Sequence, residues 1–128
     1  MDQAYWYMID QGVATESSYP YNDSKTIGCT YSPPKKAITV GRCANVPSGI
    51  YDKMMSAVVQ QPVSVAIASE SFVTYSGGIY DGDCNDEIDR GMLLVGYGKA
   101  EDGTKYWILK NTLGIGWGDK GFMKLKRT

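Results

Sequence analysis

Residues 89–127 read D-R-G-M-L-L-V-G-Y-G-K-A-E-D-G-T-K-Y-W-I-L-K-N-T-L-G-I-G-W-G-D-K-G-F-M-K-L-K-R. Three apolar runs, 92–97, 106–109 and 122–125, alternate with turn residues. The turns carry Glu101-Asp102-Gly103 and glycines at positions 114, 116, 118 and 121. Short apolar runs separated by tight turns predict an antiparallel meander of three strands.

The remainder of the chain predicts two helices and two more strands. A helix over 1–11 is closed by Gly12, and a helix over 51–60 is ended by Pro62. The second helix is expected to bury Tyr51, Met54, Met55 and Val58. Residues 63–67 predict a buried strand and residues 37–40 a short one.

Composition restricts the class of protein. The 128 residues fit one small domain, and 43% hydrophobic residues with ten Tyr indicate a globular, β-rich chain. A net charge of −1 gives no electrostatic reason to expect a nucleic acid or an anionic membrane as partner. No apolar run approaches the roughly twenty residues of a transmembrane helix.

The stretch 89–127 resembles the C-terminal half of papain-like cysteine proteases. In that family an Asp/Asn-His pair precedes a Val-Gly-Tyr-Gly strand, the next strand ends in Lys-Asn-Ser-Trp-Gly, and Gly-Trp-Gly follows. Here V-G-Y-G stands at 95–98, Y-W-I-L-K-N at 106–111 and G-W-G at 116–118. E-S-S-Y-P-Y at 16–21 resembles a family connector, and Q-P-V-S-V-A at 61–66 is most similar to the plant members.

This resemblance implies an α+β, papain-like fold: mostly the β-rich right-hand lobe, as a sheet or barrel, with one or two helices. Residues 1–128 would form a single partial domain, with a left-lobe helix and connector over about 1–40 and the right lobe over about 41–128. M-D-Q-A-Y-W at the N-terminus matches the interior of the family pattern and lacks signal-peptide features. We therefore expect Met1 to be an internal residue of a longer ancestor, with the nucleophile-bearing segment missing from this chain.

Papain-like catalysis requires a thiolate, an imidazole that activates it, and an Asn that orients the imidazole. Only the Asn has a match, Asn111. The family His position holds Arg90, and Thr112-Leu113 replaces the family Ser-Trp pair. Arginine has a pKa above about 12 and cannot exchange a proton near neutrality. We therefore expect Arg90 to be non-functional as a base and Asn111 to be a structural remnant.

The resemblance also assigns cleft positions, although plain core packing is an equal alternative for Met1. These positions are Met1, Ala66, Ile88, Asp89, Gly91, Leu113 and Trp117.

The cysteines Cys29, Cys43 and Cys84 have no evident partners in the chain. The resemblance pairs Cys29 with an upstream Cys and Cys84 with a downstream one, neither of which is present. Reduced thiols, a Cys29–Cys43 disulfide and bonds to a second chain all stay open, and an odd count leaves at least one thiol free or intermolecular. Without His or C-x-x-C we expect no metal site and no cofactor.

Asn22 opens an N-D-S glycosylation sequon. Family resemblance implies the secretory pathway, a vacuole or lysosome, or the extracellular space as location.

The leading hypothesis is a catalytically inactive homologue, either pseudoenzyme or fragment, that acts in binding, regulation or structural assembly. A protein partner or second copy would cover the exposed inter-lobe face; no nucleic acid or membrane is expected. The alternative is one part of a cysteine endopeptidase whose nucleophile-bearing segment is supplied by another chain. A truncated product without selected function is a third possibility.

Overall fold

The computed structural model describes residues 1–21, 36–83 and 87–128, so Asn22, Cys29 and Cys84 lie outside the described residues. The chain forms two compact units, Met1–Asn45 and Val46–Thr128. The lobe division at about residue 40 stays a prediction.

The described residues of the unit Met1–Asn45, 1–21 and 36–45, contain an α-helix and a two-stranded antiparallel sheet. Helix α1 ends at Gly12, whose φ of 76° suits glycine and whose N–H donates to the carbonyl of Met8 at 2.9 Å. The predicted first helix is therefore confirmed. The strand predicted over 37–40 lies slightly earlier in the structure. The elements are α1 (Asp2–Gln11), β1 (Val13–Ala14) and β2 (Lys36–Ile38).

The unit Val46–Thr128 is a five-stranded sheet with one α-helix. Its strand order is β3-β5-β6-β7-β4, in which β5, β6 and β7 form the predicted antiparallel meander while β4 pairs parallel to β7. The elements are α2 (Tyr51–Gln60), β3 (Val63–Ile67), a 3-10 turn (Glu70–Phe72), β4 (Ile79–Tyr80), β5 (Arg90–Lys99), β6 (Lys105–Lys110) and β7 (Phe122–Lys126). The predicted α+β class is confirmed. Within the described residues the sheet is open, with β3 and β4 at its edges, and is not a closed barrel.

One face of this sheet holds the core. Leu94 of β5 lies opposite Leu109 of β6, which in turn lies opposite Met123 of β7. Directly opposed residues project from the same face of a sheet, so these three form a continuous buried row. Val58 of α2 and Phe72 of the 3-10 turn belong to the same cluster.

Two expectations about burial are wrong. Tyr51 is exposed although its ring lies 6.4 Å from that of Trp107. Strand β3 is half-buried, because it is an edge strand whose second face is open at Ala66. A run of β-branched residues does not distinguish an edge strand from a central one.

Helices α1 and α2 have ten residues each, and among the described residues no helix is long and apolar enough to span a bilayer.

Truncating Met123 should destabilise the fold strongly, because this residue of the buried row is 0% exposed. We expect Met123→Ala to lower the free energy of unfolding by about 2–5 kcal/mol. Val59→Ala is the matched control, since Val59 is 71% exposed on α2, and should change that energy by less than about 0.5 kcal/mol. Urea denaturation followed by fluorescence measures both; equal losses would contradict the assignment of the core.

Candidate functional site

Most of the sequence-predicted site residues meet at one end of the sheet. Strand β5 begins there with Arg90, which lies opposite Ile67 at the end of β3, and the adjacent Gly91 lies opposite Ala66. Strand β6 ends there with Lys110, followed at once by Asn111. Antiparallel pairing therefore unites positions that are far apart in the sequence.

Arg90 and Asn111 project from the same face of the sheet. Leu93 lies opposite Lys110, so one further step of the register places Asn111 opposite Met92. Both of these residues are buried, as expected for a shared face. Arg90 precedes Met92 by two residues and shares that face, which makes it a diagonal neighbour of Asn111 at a Cα separation of about 7–8 Å. Long side chains can interact across this separation.

Asn111 is held by its backbone and by one side-chain atom. Its N–H donates to the carbonyl of Gly121 at 3.0 Å, and its Oδ1 accepts from the N–H of Thr112 at 2.8 Å. The residue is only 6% exposed, and its Nδ2 is buried without a hydrogen-bond partner in the described part of the chain. Gly121 adopts a φ of 91°, which suits the turn that returns to Asn111.

Asp89 is fixed by a residue that sequence reasoning missed, Ser69. The N–H of Ser69 donates to Asp89 Oδ1 at 2.7 Å, and its hydroxyl donates to Oδ2 at 2.8 Å. The Ser69 hydroxyl, then its N–H, and more weakly the charge of Arg90, hold the pKa of Asp89 below its usual value. Ser69 is 3% exposed and lies just beyond β3. No motif marks it in the sequence.

The other predicted cleft positions are dispersed. Ile88 is exposed, and so is Leu113, which occupies the family Trp position. Trp117 packs against the rings of Phe72 and Tyr75, and its Nε1 donates to the carbonyl of Val73 at 3.0 Å. These contacts give Trp117 a structural role whether or not it lines a cleft.

Two further predicted residues belong to the other unit, Met1–Asn45. Met1 is exposed, which does not support its alternative of core packing. Cys43 is exposed and is a free cysteine, while its possible partner Cys29 lies outside the described residues, so the Cys29–Cys43 disulfide stays an open alternative.

The end of the sheet offers hydrogen-bond donors and weak bases. A guanidinium does not deprotonate near neutrality, and an amide is neither acid nor base there. The carboxylate of Asp89 has a lowered pKa and is a poor proton acceptor. The arrangement can hold a group that accepts hydrogen bonds.

Comparison with known proteins establishes the family. The whole chain, residues 1–128, matches the profile of the papain family cysteine proteases. The chain belongs to this family. Among curated relatives, it is 36% identical over 99% of its length to the thiol protease SEN102 of Hemerocallis, and 39% identical to the senescence-specific cysteine protease SAG39 of Oryza sativa subsp. indica. It covers 36% and 38% of those two proteins, so it spans little more than a third of their length.

Solved structures of the papain family show the same fold. Bromelain from Ananas comosus, solved in complex with the E64 inhibitor, superposes with a TM-score of 0.90 at 32% identity, covering 98% of this chain and 59% of that one. Digestive procathepsin L 3 of the Tenebrio molitor larval midgut gives 0.91 at 39% identity, with 100% of this chain and 43% of that one covered. The predicted papain-like resemblance, with its plant relatives, is thus confirmed.

Removing the Ser69 hydroxyl should raise the pKa of Asp89. Because the folded-state pKa is lowered, the carboxylate stabilises the fold above its unfolded pKa of about 3.9. That contribution is lost as pH falls through the lower folded-state value. Ser69→Ala should therefore weaken the pH dependence of stability over the acidic range just below pH 4.

Carboxyl NMR titration measures the shift directly. Asp102 is the internal control, because the N–H of Thr104 lowers its pKa in a separate turn, and it should titrate identically in both proteins. An unchanged Asp89 pKa in Ser69→Ala would contradict the assigned cause.

Proposed function

We propose that this chain is a papain-family homologue without peptidase activity of its own, which acts by binding another polypeptide. The observation that carries the proposal is Arg90, which stands at the family His position in a chain with no histidine at all. A guanidinium can neither activate a thiol nor return a proton to a leaving amine.

The surroundings of Arg90 support this proposal. Asn111, the matched orienting residue, has its Oδ1 engaged by the N–H of Thr112 and its Nδ2 unpaired. An Asn that orients an imidazole would use its side chain for that purpose. In this chain Asn111 matches the orienting Asn, while Arg90 stands where the family has the His that this Asn would orient.

An apolar cavity supports the binding part of the proposal. It has a volume of about 320 Å³ and lies in the unit Val46–Thr128, beside the start of α2. Its lining includes Met54, Val65, Leu94, Trp107 and Leu109. Leu94 and Leu109 belong to the buried core and Met54, Val65 and Trp107 are partly buried against it, so the cavity is a recess beside the core lined by partly exposed apolar side chains. Exposed apolar surface of this kind is typical of a docking site.

The first test is catalytic. The purified chain should not cleave a fluorogenic dipeptide-amide substrate under reducing conditions between pH 5 and 7. An active papain-family enzyme assayed in parallel shows that the substrate and buffer are competent. Cleavage by this chain that a thiol-reactive epoxide abolishes would overturn the proposal.

The second test concerns a partner. We expect the chain at micromolar concentration to form oligomers or a complex, since a bare apolar cavity favours association. Light scattering gives the mass, and Trp107→Glu, which places a charge in the cavity lining, should shift it toward the monomer. Val59→Glu, on the outer side of α2, is the control. If light scattering gives the wild-type protein the mass of a single chain, the expected association is contradicted.

The alternative function is one part of a cysteine endopeptidase whose nucleophile-bearing segment comes from another chain. It is motivated by the curated relatives of the chain, which are themselves described as proteases. In a complex with such a segment, Arg90→His should raise kcat/KM by about 10² or more. Arg42→His is the control, since Arg42 is exposed in the other unit. No gain at Arg90 would remove this alternative.

A further inference from the structure

We propose that Arg90 and Asn111 form a subsite that binds a free carboxylate of a polypeptide. The inference rests on the proposed function, because it names what the inactive site recognises. Two observations carry it: an arginine whose side chain makes no hydrogen bond or salt bridge with any described residue, and a buried amide nitrogen without an acceptor in the same part of the chain.

Arg90 brings a charged fork of five N–H donors to the start of β5. The guanidinium of Arg90 makes no hydrogen bond or ion pair within residues 1–21, 36–83 and 87–128. Because Arg90 is only half-buried, a ligand can reach this group. A planar guanidinium is the side chain best suited to hold a carboxylate through two parallel hydrogen bonds.

Asn111 adds an independent reason to expect an acceptor. More than nine-tenths of the residue is buried, and its Nδ2 has no partner among the described residues. Buried polar groups in folded proteins are almost always hydrogen-bonded, so an orphaned donor calls for a specific explanation. An acceptor held by Arg90, on the same face of the sheet, would supply the missing partner.

The nearest acidic side chain, Asp89, does not fill this role. Both of its carboxylate oxygens already accept hydrogen bonds from Ser69. Consecutive residues of an extended strand also project to opposite sides, which directs Asp89 away from the face that Arg90 shares with Asn111. The positive site is therefore left open to a carboxylate from outside.

The ligand class follows from the donors. Arg90 offers donors alone, and the single acceptor atom of the pair, Asn111 Oδ1, already accepts from the N–H of Thr112, so the site favours a ligand that accepts hydrogen bonds. A carboxylate satisfies the guanidinium and the amide together. In a polypeptide it comes either from the C-terminus or from an Asp or Glu side chain.

Three fluorescein-labelled peptides of one sequence, Ala-Phe-Leu-Gly-Ala, test the proposal by fluorescence polarisation. The first has a free C-terminal carboxylate, the second a C-terminal amide, and the third is the amide with Glu in place of Gly. We expect a carboxylate-bearing peptide to bind at least about tenfold more tightly than the plain amide.

Two variants distinguish binding at Arg90 from a general attraction between positive charge and a carboxylate. Arg90→Gln should abolish the preference for a carboxylate, whereas Lys110→Gln should keep it. Lys110 is an exposed cation on the opposite face at the same end of the sheet, so it matches Arg90 in charge and location but not in orientation. Near-UV circular dichroism confirms that both variants are folded.

The outcomes are distinct. If only the free-acid peptide binds more tightly than the plain amide, the ligand is a C-terminal carboxylate. If the Glu-containing amide also binds more tightly than the plain amide, a side-chain carboxylate is accepted as well. Both results support the subsite. Equal binding of all three peptides, no binding of any, or a preference that survives Arg90→Gln would overturn it. Mass spectrometry of the peptides after incubation reports on the proposed function separately: intact peptides leave it standing whatever the preference, and cleaved ones contradict it.

Discussion

The pairing register of β5 is the constraint on which the rest of the sheet depends. This strand lies between β3 and β6 and fixes the position of both. Because side chains alternate between faces, a slip of one residue would move Met92 and Leu94 from the core to the opposite face. The same slip would separate Arg90 from Asn111. Core packing and the geometry of the candidate site are therefore set by one set of backbone hydrogen bonds.

This coupling explains how the backbone sets the geometry at this end of the sheet. Asn111 is positioned by the backbone of Gly121 and by its burial beside Met92, and neither contact needs an imidazole. An unpaired buried donor costs about 1–3 kcal/mol, which the surrounding core offsets. Family membership and fold thus do not by themselves establish activity, which depends on the particular side chains of the site.

Much of the architecture could be predicted from local pattern. Both helices, the meander β5–β7 and the family were read from apolar spacing, turn residues and short motifs such as V-G-Y-G. The errors fell where burial depends on distant neighbours. Tyr51 has the spacing of a core residue but lies at the start of α2, where it stays exposed. Strand β3 has the apolar composition of a central strand but lies at the edge of the sheet. Its own residues do not show whether a second strand pairs with it.

The sequence by itself determined the family and the α+β class, and it predicted that Arg90 stands at the family His position. These features depend on residue identity and on spacing over a few positions. Tertiary structure decided that β4 runs parallel beside β7 and that Ser69 donates to Asp89, twenty positions away. It also decided that Asn111 Nδ2 is buried without a partner among the residues that the structure describes. Such features arise only when distant strands pair, because hydrogen-bond partners and burial are properties of the assembled sheet rather than of any single stretch.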